Sequence, residues 1–249
     1  MEASTKSSVE AVIASCVNRA IVRVKKVLAK ASYRPFHKAL LTEALVKASV
    51  FERSFSTSFG QGPVEAISEA IARDAGAEAT RGRDMMITIQ NAKMDAISDI
   101  LANLRAKKDK PNWDSELARV AGAQSNATVT IKVRSDLWIK KDGQECYFSI
   151  KTVKPNLDQT EIAKRDMLTL KASDPSCQVF FGLYYNPSGE RREDYDWKIP
   201  FKIFDMKKDP CVLIGREYWD FLGGVGTYDE LLELFSKVGE ETRKSLEAI

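Results

Sequence analysis

The stretch from residue 127 to 153 constrains this chain more than any other. Ala127-Thr-Val-Thr-Ile-Lys-Val133 alternates with the period of two that a strand requires, and Leu137-Trp-Ile139 and Cys146-Tyr-Phe-Ser-Ile-Lys-Thr-Val153 read as two more strands. Lys141-Asp142-Gly143-Gln144 lies between the last two, and its Asp-Gly pair is a strong signal for a tight hairpin turn. Pro155 and Asn156 stop the third strand. Asp158 or Thr160 can cap a helix that runs to about Lys171, and Val179-Phe-Phe-Gly-Leu-Tyr-Tyr185 reads as a fourth, buried strand. Hairpin, crossover helix and strand predict an α/β fold with a mixed β-sheet flanked by helices.

The first 120 residues read as helical. Ile13, Val17, Ile21, Val24 and Leu28 recur at steps of three and four, and Arg19, Arg23, Lys26 and Lys30 recur at similar steps on another face. Seven basic residues and no acidic one fall between Ala11 and Thr42. Such a face suits a phosphate backbone, and it equally suits solvent. Pro35 opens a second helix to about Val50, followed by a polar connection from Phe51 to Pro63. The next helix carries Val64, Ile67 and Ile71 and stops at Gly76, with Arg81 and Arg83 flanking Gly82 in a loop. Helices are expected over 91–107 and 113–120, a polar loop over 186–200, and a closing amphipathic helix over 228–238. The division expected is a helical N-terminal region, 1–120, and a sheet-bearing core, 121–249, in one compact unit.

Composition removes several chemistries. His37 is the one histidine in 249 residues, and the four cysteines (Cys16, Cys146, Cys177, Cys211) are scattered without a CxxC pair. Structural zinc and most histidine-based catalysis are thereby excluded. Carboxylates, lysines and a hard metal ion remain. The net charge of +3 is too small to imply nucleic acid by itself. No apolar window is long enough to span a membrane and no apolar segment follows the N-terminal residues, so a cytoplasmic protein is expected.

Asp136 heads the hairpin, and Tyr147, Ser149 and Lys151 share one face of the third strand while Phe148 and Ile150 point to the core. An acid on one arm and Xaa-Ile-Lys on the other form the skeleton of the PD-(D/E)xK nuclease core. A carboxylate there holds Mg²⁺ through hard oxygen contacts, the metal generates hydroxide from water, and the lysine orients the nucleophile and stabilises charge on the phosphorus. The position two before Lys151 normally carries Glu or Asp, and here it is Ser149. Three readings stay open: a carboxylate borrowed from elsewhere, with Glu161 on the following helix the nearest candidate; a substituted, inactivated acid; or a degenerate site that does not cut. Glu65, in the first turn after Gly62-Pro63, is a further candidate metal ligand and equally a favourable acid at a helix N-terminus.

Val133-Arg-Ser-Asp-Leu-Trp138, Tyr147-Phe-Ser-Ile-Lys-Thr-Val-Lys-Pro-Asn156, Asp158-Gln-Thr-Glu-Ile-Ala-Lys164, Phe51-Glu-Arg-Ser-Phe-Ser-Thr-Ser-Phe-Gly-Gln-Gly62 and Val212-Leu-Ile-Gly-Arg-Glu-Tyr-Trp-Asp-Phe221 together resemble the TdeIII family of type II restriction endonucleases. The family's active-site strand reads like Phe-Glu-Ile-Lys, against Phe148-Ser149-Ile150-Lys151 here. The resemblance implies a restriction-endonuclease-like core and Mg²⁺-dependent cleavage of double-stranded DNA at a short interrupted palindrome of the GGNCC type. A palindromic site implies a homodimer, and restriction implies a cognate DNA methyltransferase as functional partner. Lys154, Asn156 and Gln159, following the active-site strand, are candidates for contacts to bases or phosphates, and Arg81 and Arg83 for phosphate. A DNA-binding protein that no longer cuts, and a structure-selective repair nuclease on the same core, are the rival readings.

Overall fold

A computed structural model describes residues 1–29, 35–60 and 62–247. Its helices are α1 (Ala3–Ala29), α2 (Pro35–Leu40), α3 (Glu43–Phe59), α4 (Pro63–Asp74), α5 (Asn91–Arg105), α6 (Trp113–Gly122), α7 (Leu157–Ser173), α8 (Arg216–Gly223) and α9 (Thr227–Glu247). Its strands are β1 (Glu78–Gln90), β2 (Thr128–Lys141), β3 (Gln144–Lys151), β4 (Gln178–Leu183) and β5 (Val212–Ile214). They form one sheet in the order β1-β2-β3-β4-β5. The first three are antiparallel, and β3, β4 and β5 run parallel. The expected α/β fold with a mixed sheet and flanking helices is the one observed.

The hairpin turn forms as its sequence demands. Asp142 and Gly143 have φ of 51° and 79°, the pair of positive values that lets a two-residue turn follow the right-handed twist of its strands. The crossover α7 is required because β3 and β4 are parallel. Asn156 caps it, its Oδ1 accepting from the Gln159 N–H at 2.8 Å while Gln159 Oε1 accepts from the Asn156 N–H at 3.3 Å.

Each face of the sheet buries its own core. On one, α5, α6 and α7 cover Val133, Val179, Phe181 and Leu183. On the other, α1, α4, α8 and α9 cover Leu137, Phe148 and Phe180. Residues paired across a parallel ladder share a face, so Tyr147, Ser149 and Lys151, opposite Val179, Phe181 and Leu183, lie on the α7 side. The second core is closed by Tyr218, whose ring lies where a Cβ on Gly182 would be 2.7 Å away; glycine permits that approach. Tyr218 Oη then meets Ser68 Oγ of α4 at 2.7 Å, tying α4 to the sheet.

Three elements differ from expectation. Residues 78–90, read as a loop inside a helical region, form the 13-residue edge strand β1, and Arg81 and Arg83 lie on it. The segment Phe51–Phe59, read as a polar connection, continues α3, and Phe51, Phe55 and Phe59 stack along it at four-residue spacing. The two strands expected over 127–139 are one strand, β2, and the short β5 joins the sheet beside β4.

Candidate active site

β2 and β3 part company beyond the pair Leu137↔Phe148. Side chains take over where the ladder stops. Ser135 Oγ accepts from the Phe148 N–H at 3.2 Å and donates to the Leu137 carbonyl at 2.6 Å. Asp136 Oδ2 accepts from the Ile150 N–H at 2.8 Å and from Lys151 Nζ at 2.8 Å. The fork thus fixes an acid and a lysine in contact, with about a fifth of each side chain still open to solvent.

Glu65 approaches the same fork from the first turn of α4. Its carboxyl is pushed above the usual carboxylate range, first by burial and then by the charge of Asp136, against the opposing pull of Arg134, Arg81 and Lys151. Among the described residues only burial and neighbouring charges act on it, with no hydrogen bond. A half-buried carboxylate without a partner, beside a second carboxylate, is a donor set of hard oxygens suited to Mg²⁺. No three acidic, histidine or cysteine side chains form a ready cage among the described residues. Mg²⁺ does not require one, since it is commonly held by one or two carboxylates and keeps several waters.

Ser149 is 9% exposed and sits on the Lys151 face. Glu161 is committed elsewhere: Arg105 of α5 donates to it at 2.6 Å and to Asp158 at 2.9 Å. Asp166, farther along α7 and absent from the sequence reading, is 14% exposed. Its carboxyl is raised by burial and lowered by Arg165, by Lys151 and by the Arg134 backbone N–H.

The remaining candidates divide by location. Arg19 and Arg23 of α1 line a cavity of about 600 Å³ together with Arg81, Gly62 and Pro63. Arg19 donates to Ser15 at 2.9 Å, Arg23 to Ser58 at 3.0 Å, and Arg81 to Glu69 at 2.7 Å. Lys26 lies farther along the same α1 face, beside Arg23. Lys30 lies outside the described residues. Arg83 stacks on Trp138, its guanidinium carbon 4.3 Å from the ring centroid. Lys154 lies over Trp197 at 5.6 Å, and Asn156 and Gln159 are occupied in capping α7.

Residues 1–239 match the family described as type II restriction endonuclease, HinfI. The chain belongs to that family. Members are site-specific deoxyribonucleases, and the fork lies in a restriction-endonuclease-like core. The HinfI-family chain is 31% identical over 214 residues to the type II restriction enzyme HgiCII of Herpetosiphon aurantiacus, covering 83% of this chain and 77% of the relative. It is 32% identical to HgiBI of the same organism with the same coverage. It is 26% identical over 240 residues to the type II restriction enzyme MjaII of Methanocaldococcus jannaschii, covering 83% and 62%. The sequence resemblance to type II restriction endonucleases is upheld at this level, and HinfI is the family whose pattern matches. No described helix is long and apolar enough to cross a membrane.

Proposed function

We propose that the fork formed by Asp136, Lys151 and Glu65 hydrolyses double-stranded DNA with Mg²⁺ as cofactor. The observation that carries this reading is the 2.8 Å contact between Lys151 Nζ and Asp136 Oδ2, with Glu65 left unpaired beside it. Asp136 and Glu65 would hold the ion. When bound, it would lower the pKa of a coordinated water and offset charge on the scissile phosphate. Lys151, freed in part from Asp136 as that carboxylate turns to the ion, would place its ammonium against the attacking oxygen and the phosphate. Ser149, without charge, would contribute packing and at most one neutral oxygen.

The specificity we assign is a short interrupted palindrome of the GGNCC type, in line with the TdeIII resemblance. A palindrome is met by a two-fold protein, so the working form is a homodimer. Its setting is the cytoplasm, with a cognate methyltransferase protecting host DNA. Arg19, Arg23 and Lys26 of α1 would hold backbone phosphates near the fork, with Arg81 joining Arg19 and Arg23 at one cleft. Reversing Arg19 and Arg23 should weaken binding to all sequences alike and flatten the salt dependence by roughly one slope unit per lost contact. An unchanged slope would turn this face to solvent or to a partner subunit.

A plasmid digest with Mg²⁺ and with chelator tests the reading. Discrete bands that need Mg²⁺ support it. Retained specific binding without cleavage would favour a DNA-binding protein that has lost catalysis, and nicking confined to branched or damaged substrates would favour a repair nuclease.

A further inference from the structure

Upstream of the fork the sheet narrows to two strands. β2 pairs with β3 from Leu137 to Lys141, and from Thr128 to Ser135 it pairs with β1 alone. One face of this ribbon belongs to a core: Met85, Ile87, Ile89, Val129, Ile131 and Val133 pack with α5, α6 and α7. The other face stays open over three successive rungs, Asp84↔Arg134, Met86↔Lys132 and Thr88↔Thr130, and all six residues are exposed.

The open face carries ordered chemistry. Thr88 and Thr130 Oγ1 meet at 2.9 Å. Met86, an apolar side chain left in water at the centre, is 68% exposed. Lys132 Nζ lies 2.8 Å from Asp84 Oδ2, and Arg134 Nη1 lies 3.6 Å from Asp84 Oδ1. Asp84 thus holds two cationic heads side by side, while more than half of each basic side chain remains open to solvent. An ammonium and a guanidinium have more N–H donors than one carboxylate can use, so donors remain for a ligand. The Arg134 guanidinium also lies over Gly82, 3.2 Å from where a Cβ would stand, so the glycine leaves it room.

A major groove about 12 Å wide admits a two-stranded ribbon, whose strands lie about 4.8 Å apart. Base edges there accept from Arg and Lys at guanine, exchange hydrogen bonds with Thr, and offer thymine methyls to apolar groups. The face also leads to the reactive centre. β2 runs on into Asp136, so at about 3.4 Å per residue Arg134 stands ~7 Å and Thr130 ~20 Å along the strand from that carboxylate.

We infer that the open face of the β1–β2 ribbon enters the major groove of duplex DNA, where Arg134 and Lys132 select G·C pairs by their guanine edges. The inference rests on the nuclease reading above and names the residues that give it sequence preference. Asp84 is a positioning residue for both cations, and Met86, Thr88 and Thr130 fill the groove beside them.

The test uses the full-length protein and a randomised duplex library, read twice: by sequencing the ends cut in Mg²⁺, and by sequencing the duplexes retained in chelator. The parent should yield one short motif containing G·C pairs. Arg134→Ala and Lys132→Ala, both at exposed positions, should each relax the preference at one G·C position per half-site by roughly 10- to 100-fold, with other positions unchanged. Arg19→Ala, a phosphate contact in the reading above, should weaken retention of all duplexes alike and leave the motif intact. An unchanged motif in both ribbon variants would overturn the inference. A uniform loss across all sequences would overturn it too, by making these cations phosphate contacts. Loss of self-association by sedimentation, with the motif intact, would make the face a subunit interface instead. If the parent cuts one motif that neither variant alters, the nuclease reading survives and this assignment alone fails. If the parent cuts nothing but retains a motif that the variants blur, the nuclease reading fails and this assignment stands. A parent that neither cuts nor selects would overturn both.

Discussion

Lys151 and Lys164 each pair with a carboxylate, yet the two pairs live in different solvents. Lys164 Nζ reaches Glu116 Oε2 at 2.5 Å and the Ile203 carbonyl at 2.5 Å, with the Phe204 ring centroid at 4.9 Å, and none of its side chain is exposed. Burial pushes the Glu116 carboxyl up in spite of its partner. Every feature around Lys164 secures one fixed arrangement. Lys151 is open to solvent for a fifth of its surface, shares Asp136 with a backbone N–H, and has the unpaired Glu65 nearby. That pair can be rearranged by an ion, a water or a phosphate. Identical charge chemistry becomes a strut where it is sealed and a reactive centre where the strands fork.

The largest expected effect on stability follows from the sealed pair. Lys164→Ala leaves Glu116 buried without a counter-charge and should cost about 3–5 kcal/mol, read from urea or thermal unfolding. Replacing both partners with apolar side chains, Lys164→Met with Glu116→Leu, should cost far less, because no charge is then left buried. If single and double replacements cost the same, the strut reading of this pair fails.

The fork was legible in the sequence because its parts are local. The Asp-Gly turn sets the hairpin, and period-two alternation puts Ser149 and Lys151 on one face opposite the core-facing Phe148. β1 was missed because Glu78-Ala-Thr-Arg-Gly-Arg-Asp carries charges and a glycine that suit an exposed edge strand. Its pairing depends on β2, some fifty residues onward. The continuation of α3 was hidden by Ser and Thr, residues of modest helix propensity, although Phe51, Phe55 and Phe59 keep helical spacing. Nearness in sequence favoured Glu161 as a borrowed acid. The structure pairs it with Arg105 of α5, 56 residues away in sequence, and that is a tertiary fact.

Glu65 gives the smallest effect and the finest probe of the open pair. Its carboxyl is raised, so the folded chain holds that proton more tightly than the unfolded chain. Stability is therefore lost as pH climbs above the ordinary carboxylate range, where Glu65 must ionise in the fold. Glu65→Gln should melt higher than the parent in metal-free buffer at neutral pH, by ~2 °C for a sub-kilocalorie change in a chain of this size. The difference should vanish below the carboxylate range. Mg²⁺ should raise the melting point of the parent more than that of the variant. Equal gains would remove Glu65 from the ion's ligands.

The most direct measurement is cleavage by Lys151→Ala beside its parent, with specific DNA binding measured on both proteins. Lys151 lies in an open fork and carries no buried strut, so the expected result is a folded variant that binds its site nearly as well as the parent and does not cut in Mg²⁺. Removing one preorganised charge from a transition state typically costs about 10²–10³-fold in rate. Equal turnover by the variant and the parent would contradict the assignment and move the reactive centre away from Asp136 and Lys151.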